Sequence, residues 1–316
     1  IGRYLMERYA LPEIAAGYRG REKLQKYILD KQVLDNRVLW IKGMNASQEK
    51  RWLQFCRDYV PVKDSDGRFV LEARWTDKEN ERRNLAVIRY GDTIKRYDLT
   101  LFNSIYLNRE KGTYSAIWQQ YAAVMCALLC NTDAETSQAF MDTCDFTAEE
   151  PIIGMRKIAA DGAYLRRAES SSLHILSLVR KESISAIDAQ IWKAQLQVLF
   201  PLLEIERVSF IKRYRKQVQE ALGEKYHDFR TGRPQYIYQF GETVSDPDNA
   251  ELGTIYRMTK LRRDADAYQY LLYIPDEQSR SRIELLHDLR NSLAHGNTCA
   301  IDKVIEFING HPFDWN

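Results

Sequence analysis

The fold class is decided first by residues 184–222, which read ISAIDAQIWKAQLQVLFPLLEIERVSFIKRYRKQVQEAL. Along this stretch apolar side chains return at steps of three and four residues, as they do on one face of a helix. They are Ile187, Ile191, Ala194, Val198, Leu202 and Ile205. The spacing predicts one long helix. Pro201 lies inside it and should kink or split the helix, because proline donates no backbone hydrogen bond and crowds the preceding turn.

Shorter helices are predicted after this one, beyond an insertion that contains Gly, Pro and Tyr. The insertion covers residues 227–248 and includes a short strand signal at residues 235–240. The helices are predicted over residues 250–261, 276–295 and 300–308. Gly296 ends the second of them. Residues 184–316 are therefore predicted to form a four-helix bundle.

The N-terminal third combines helix and strand signals. One helix is predicted from Arg21, and a second over residues 47–59 with Ser47 as its N-cap. The strand signals cover residues 38–41, 68–73 and 84–90. Strands that alternate with a helix predict an α/β segment, which we assign to residues 1–105.

The middle of the chain has a different composition. From about Asn103 to Arg180 strand signals are absent, and stretches rich in Ala, Leu and Gln predict helices. We assign residues 106–183 to a helical connector. The predicted fold class is α+β and mostly α, with the α/β segment, the connector and the bundle of residues 184–316 in that order.

Composition and charge limit the compartments and the binding partners that we expect for this chain. The chain has 46 basic and 44 acidic residues, so no global field directs it toward nucleic acid or membrane. Its five cysteines form no CxxC pair, and its longest apolar run, Tyr121 to Cys130, is about half of what a membrane span needs. We expect a reducing, cytoplasmic compartment and no membrane partner.

Several enzyme classes lack their motifs here. The chain contains no GxxxxGK[ST] loop, no GxGxxG and no GxSxG, so it carries no signature of a nucleotide loop or a nucleophile elbow. Five histidines and one i,i+4 thiol pair, Cys126 with Cys130, offer little for a metal site. We therefore predict neither a metal nor a cofactor.

The most specific motif lies near the C-terminus. Residues 289–296 read LRNSLAHG, in which Arg290 is followed by the polar Asn291 and, five residues later, by His295. This stretch resembles the Rx4-6H motif of the HEPN superfamily, and the resemblance covers roughly residues 184–316. It implies a helical bundle in which Arg290 and His295 are the catalytic pair of a metal-independent ribonuclease, with Asn291 helping to orient them.

The residue types suit that chemistry. Cleavage of RNA by its own 2'-hydroxyl needs a proton carrier near neutral pH and a fixed positive charge at the phosphorane. Histidine supplies the first and arginine the second, and arginine can hold a phosphate with two parallel hydrogen bonds. The substrate expected from this interpretation is single-stranded RNA.

Helix geometry adds a constraint on the site. At about 100° per residue, Arg290 and His295 point about 140° apart, whereas His287, Asn291 and His295 share a face. One helix alone cannot close the site. Related HEPN proteins pair their motifs across a dimer, which implies a homodimer or an intramolecular equivalent. The cleft between the motif helices should be basic, with Arg282 and Lys303 as candidates to contact substrate.

The N-terminal segment carries a second resemblance. Residues 33–103 resemble the later part of an ATPase domain of signalling NTPases, although the strand signal at residues 38–41 is followed by Lys42 and Gly43 where an acidic residue is expected. The chain opens at Ile1 in helix-like sequence, which suggests a piece of a longer protein and leaves room for an upstream sensor domain.

Two functions stay open at this point. HEPN bundles recur in prokaryotic defence, toxin and stress-response proteins, which implies an endoribonuclease effector that cleaves single-stranded RNA. Many HEPN domains are instead interaction or regulatory modules without cleavage, here of a larger signalling NTPase-type protein. In that case Arg290 would pair with a neighbouring acid, and His295 would serve only to end the helix.

Overall fold

The computed structural model describes residues 1–73, 82, 84–88, 93–162 and 174–313. The chain divides into two compact units, residues 1–93 and residues 94–316. Each unit has its own hydrophobic core. The predicted α+β and mostly α class is confirmed, because helices far outnumber the short strands in the described residues.

The first unit is a small α/β arrangement. Its helices are α1 (Gly2–Tyr9), α2 (Pro12–Gly17), α3 (Leu24–Asp30) and α4 (Ala46–Asp58), and its strands are β1 (Val38–Ile41) and β2 (Arg68–Leu71). The two strands pair in parallel, with Leu39 opposite Phe69, and α4 lies between them in sequence. Parallel neighbours need such a crossover. The third predicted strand is wrong for residues 84–88, where Leu85 makes only an isolated bridge to Arg82. Residues 89 and 90 lie outside the described residues.

The N-cap of helix α4 lies two residues before the predicted one, Ser47. Asn45 is the N-cap: its side chain accepts a hydrogen bond from the Gln48 amide at 2.9 Å, and the Gln48 side chain accepts one from the Asn45 amide at 3.0 Å. This is a complete capping box. Ser47 cannot form one, because Lys50 stands where a glutamate or glutamine would be needed.

The second unit holds the remaining elements. Its helices are α5 (Arg96–Glu110), α6 (Ala116–Cys130), α7 (Ala134–Thr143), α8 (Pro151–Ala160), α9 (Ile175–Arg180), α10 (Ile184–Arg213), α11 (Arg215–Gly223), α12 (Leu252–Lys260), α13 (Glu277–Ala294) and α14 (Ile301–Asn309). Its strands form two antiparallel hairpins, β3 (Tyr226–Asp228) with β4 (Arg233–Gln235) and β5 (Tyr238–Gln239) with β6 (Glu242–Thr243). The strand signal at residues 235–240 thus belongs to two short strands.

The segment predicted as a connector is part of this unit's core. Helix α6 is buried on all sides from Tyr121 to Cys130 and packs against α5 and α10. Buried Gln195 on α10 donates to the Cys299 carbonyl at 2.9 Å and accepts from the Cys299 amide at 2.7 Å. A helix that is apolar on all sides must lie at the centre of a core, so α6 cannot belong to a separate connector. The chain therefore divides between residues 93 and 94, and not after residues 105 and 183 as predicted.

Helix α10 continues through Pro201 and ends at Arg213, where Tyr214 adopts φ −112° and ψ 24° before α11 begins. The predicted split at Pro201 does not occur. Leu199 and Leu203, on either side of the proline, are completely buried, so packing outweighs the loss of one backbone hydrogen bond. Among the described residues no helix is both long and apolar enough to cross a bilayer.

Candidate active site on the motif helix

Helix α13 carries the Arg290, Asn291 and His295 motif and is fixed at its N-terminus by Asp276. The Asp276 carboxylate accepts hydrogen bonds from the amides of Gln278 at 3.3 Å and Ser279 at 3.0 Å, and from the Ser279 hydroxyl. These donors satisfy amides that a helix start leaves free. On the face of α13 that packs into the core, the buried side chains include Leu286, Leu289 and Leu293.

Acid should weaken this cap. Hydrogen bonding from Ser279 lowers the pKa of Asp276 from its ordinary value of 3.8. A lowered folded-state pKa adds stability that is present above the unfolded-state pKa, ~4, and is lost as the pH falls through the folded-state value. We expect Asp276→Asn, whose amide oxygen still caps the helix, to lose less stability between neutral and strongly acid pH than the wild type. Urea denaturation at both pH values measures this, and equal losses would contradict it.

The C-terminus of α13 ends in a Schellman motif centred on Gly296. The Gly296 amide donates to the Leu293 carbonyl at 3.3 Å, and the Asn297 amide donates to the Ser292 carbonyl at 2.9 Å. Gly296 has φ +78°, a conformation that favours glycine. The indole of Trp192 on α10 also donates to the Leu293 carbonyl, at 2.8 Å. His295 therefore sits at a helix end that the backbone and the core hold in place.

His295 itself is exposed, and Asn291 is half-buried on the same face of α13. Neither side chain forms a hydrogen bond or ion pair with another residue in the part of the chain that the structure describes. An imidazole in this position can bind a ligand or transfer a proton without first giving up a contact within the protein.

Arg290 has a partner that the sequence did not indicate. Its Nη2 lies 3.0 Å from the Glu251 Oε2, and the arginine side chain is 27% exposed. Glu251 is the N-cap residue of α12 and lies 39 positions earlier in the chain. The Arg290 guanidinium is thus partly accessible to solvent, and the Glu251 carboxylate offsets its charge.

The turn of α13 that precedes Arg290 carries a second cluster of interacting side chains. The ring of His287 stacks on Tyr256 of α12 with centroids 4.1 Å apart and planes at 16°, and its Nδ1 lies 3.4 Å from the Asp288 Oδ1. The Lys303 ammonium lies 2.6 Å from the Asp288 Oδ2. This pairing lowers the pKa of Asp288 and raises that of Lys303. Lys303 is half-exposed, as a substrate contact requires, but its charge is offset by Asp288.

Arg282 is buried, which corrects the expectation that it contacts substrate. Its guanidinium forms two hydrogen bonds with the Glu206 carboxylate, one of them at 2.8 Å, and donates to the Phe307 carbonyl at 3.0 Å. Arg282 is 6% exposed and the Glu206 side chain is fully buried. Its positive charge is used inside the bundle to join α10, α13 and α14, and no ligand can reach it.

The surface beside the motif is balanced in charge within one chain. Three cations along this side of α13 each face a carboxylate: Arg290 with Glu251 at 3.0 Å, Lys260 with Glu284 at 3.2 Å and Lys303 with Asp288 at 2.6 Å. Among the described residues these three cations are thus paired within one chain, and the basic cleft expected between two motif helices stays a prediction. Across the described residues, no three His, Cys, Asp or Glu side chains are grouped so that they could hold a metal ion.

Comparison with protein-family models, with curated proteins and with solved structures finds no match for this chain. The site is therefore interpreted from its own residues. Glu251 and Tyr256 are its two unpredicted members, and both reach α13 from α12 through tertiary packing. No local spacing in the sequence could have identified them.

Proposed function

We propose that this protein is a metal-independent endoribonuclease that cleaves single-stranded RNA, with His295 and Arg290 as its catalytic residues and Asn291 as a positioning residue. The observation that carries the proposal is the exposed imidazole of His295, unpaired within the described residues, at a helix end fixed by Gly296 and Trp192. Fixed placement of a proton carrier is what general acid-base catalysis requires.

The proposed reaction is an internal transfer at phosphorus. The 2'-hydroxyl of a ribose loses its proton to solvent water as its oxygen attacks the adjacent phosphate, the bond to the 5'-oxygen breaks, and that oxygen leaves with a proton. The products end in a 2',3'-cyclic phosphate and a 5'-hydroxyl. His295 gives the proton to the leaving oxygen, and the Arg290 guanidinium stabilises the charge on the phosphorane.

The site requires more than one motif helix. Arg290 and His295 project about 140° apart on α13, so one copy cannot direct both at the same phosphate. We propose that two copies pair their motif helices in a homodimer, or that an equivalent contact forms within a longer chain. The resemblance to HEPN proteins extends the proposal to a cytoplasmic effector of a prokaryotic defence or stress response, controlled by an upstream sensor domain.

A second candidate function is a non-catalytic interaction or regulatory module. The ion pair between Arg290 and Glu251 favours it, because a catalytic arginine held by a carboxylate is not free for phosphate. In that case α13 and α12 present a charge-balanced surface to another protein, and the motif residues only stabilise the end of the helix.

The two candidate functions predict different effects of Glu251→Gln on the rate of RNA cleavage. If Arg290 is catalytic, removing the carboxylate releases the guanidinium, and we expect cleavage of a labelled single-stranded RNA in EDTA to become about two- to fivefold faster, as the energy of an exposed ion pair allows. The matched control is Glu284→Gln, which removes a carboxylate from the neighbouring pair with Lys260 and should leave the rate unchanged.

Light scattering on each variant first establishes that all share one oligomeric state. A Glu251→Gln rate no higher than the wild-type rate would contradict release of Arg290. Absence of cleavage by the wild type and by both variants, in a protein shown to be a folded dimer, would favour the interaction module.

A further inference from the structure

The insertion between α11 and α12, together with the loop after α12, carries a concentration of exposed aromatic rings. Tyr268 is 92% exposed and Phe229 is 78% exposed, and Tyr270 and Tyr273 are also exposed. Large apolar rings at the surface lose the hydrophobic gain of burial, so such a group commonly marks a binding surface.

Backbone pairing places several of these side chains in one row. Strand β3 pairs with β4, setting His227 opposite Pro234, and the His227 amide donates to the Arg262 carbonyl on its other side. Arg262 in turn pairs with Tyr270. Side chains opposite each other in an antiparallel sheet point to the same face. Pro234, His227, Arg262 and Tyr270 therefore follow one another across a small surface that the β3–β4 hairpin and two isolated bridges form.

Two side chains of this row, Arg262 and His227, contact aromatic rings. The Arg262 guanidinium lies 3.6 Å from the centre of the Tyr270 ring, and the His227 and Phe229 rings are 5.1 Å apart in an edge-to-face contact. We call His227, Phe229, Arg262, Tyr268 and Tyr270 the stacking platform. Beside it lies a groove of about 510 Å³, to which Tyr268, Tyr270 and Tyr273 contribute together with Arg263, Glu220 and two glutamines.

We propose that the stacking platform binds the bases of single-stranded RNA. Flat aromatic and guanidinium groups on an exposed surface are what unpaired bases stack on, and stacking tolerates any base because each has a π-face. The glutamine amides of the groove, Gln217 and Gln269, match the donors and acceptors on base edges.

Charge at the rim of the platform fits a polyanion better than a neutral peptide. Arg230 and Arg233 are exposed in the β3–β4 hairpin, and neither makes an ion pair with any other described residue. Among the carboxylates on this surface, Asp264 lies 3.2 Å from His227, and Asp228 accepts from the Arg230 amide and from Gln235, whereas exposed Glu220 adds one negative charge to the groove. The two arginines are thus available to contact phosphates.

The platform connects to the motif helix through α12. Arg257 donates to the Tyr226 hydroxyl of β3 at 2.7 Å, and the next residue toward the N-terminus, Tyr256, stacks on His287 of α13. The inference thus deepens the ribonuclease proposal by naming where the substrate's bases bind. It rests on that proposal only for the class of substrate, since binding can be measured without cleavage.

The test is binding of a fluorescently labelled 12-nucleotide single-stranded RNA to the full chain, measured by anisotropy in EDTA in the His295→Ala background. We expect Tyr268→Ala and Phe229→Ala each to weaken binding by roughly tenfold, the loss of one base stack. Tyr268→Phe, which keeps the ring, should bind as the parent does. The matched control is Tyr97→Ala, an exposed tyrosine on α5 outside the platform, which should also leave affinity unchanged.

Equal RNA affinity in all of these variants, or no binding by the parent, would overturn the platform. Binding of a proline-rich peptide in place of RNA, lost in Tyr268→Ala, would also overturn it by assigning the groove to a protein partner. Cleavage by the unmutated protein is followed in parallel. Platform-dependent binding without cleavage would uphold the platform and count against the ribonuclease, whereas cleavage unaffected by Tyr268→Ala would do the reverse.

Discussion

His295→Ala is expected to lower the rate of RNA cleavage by a factor of about 10² to 10⁴, the contribution of a positioned general acid. The fold should not change, because the imidazole is exposed and the helix end is held by backbone atoms of Leu293 and Gly296 and by the Trp192 indole. The measurement is the initial rate on a labelled single-stranded RNA in EDTA.

A matched control comes from the same unit. His311 is an exposed histidine beyond α14, so His311→Ala removes the same side chain at a place with no proposed role. Its rate should equal that of the wild type. A His295→Ala rate within twofold of the wild type, with unchanged circular dichroism and oligomeric state, would remove His295 from the catalytic residues.

Glu206→Gln is expected to lower the free energy of unfolding of the second unit by about 3–5 kcal/mol, since it leaves the Arg282 charge buried without a counter-ion. The pair is almost completely shielded from water, and Arg282 also donates to the Phe307 carbonyl at 3.0 Å and lies over the Phe307 ring. Urea denaturation followed by circular dichroism measures the loss.

An exposed ion pair provides the comparison for that prediction. Lys260→Met breaks the pair with Glu284, whose two side chains are both 52% exposed, and should cost about 0–1 kcal/mol. Replacing both buried partners, Glu206→Leu with Arg282→Met, should recover most of the stability lost in the single variant. A loss below 1 kcal/mol for Glu206→Gln would show that the pair is not shielded as described.

The spacing of the leucines around Arg282 predicts that this residue is buried, although arginine side chains are mostly exposed. Arg282, Leu286, Leu289 and Leu293 stand at steps of four, three and four along α13, which places the arginine on the buried face. Glu206 stands at the same steps relative to Leu199, Leu203 and Phe210 on α10. Two opposite charges in the apolar stripes of two helices indicate a buried pair.

Other features depended on contacts that no local pattern contains. The long helix was predictable because its apolar face repeats over many turns, yet its continuity through Pro201 depends on tertiary packing. The apolar run at residues 84–88 suggested a strand, but a strand also needs a neighbour to pair with, and among the described residues Leu85 pairs only with Arg82. Likewise, the motif positions on α13 followed from sequence, whereas the Glu251 partner of Arg290 did not.

The most direct test of the account is the chemical nature of the RNA ends produced by the wild-type protein in EDTA, analysed by mass spectrometry. We predict fragments that end in a 2',3'-cyclic phosphate and a 5'-hydroxyl, formed by the wild type and not by His295→Ala, and no cleavage of RNA whose 2'-hydroxyls are methylated. Cleavage of the methylated RNA, or fragments that carry a 5'-phosphate and appear only when Mg²⁺ is added, would contradict it.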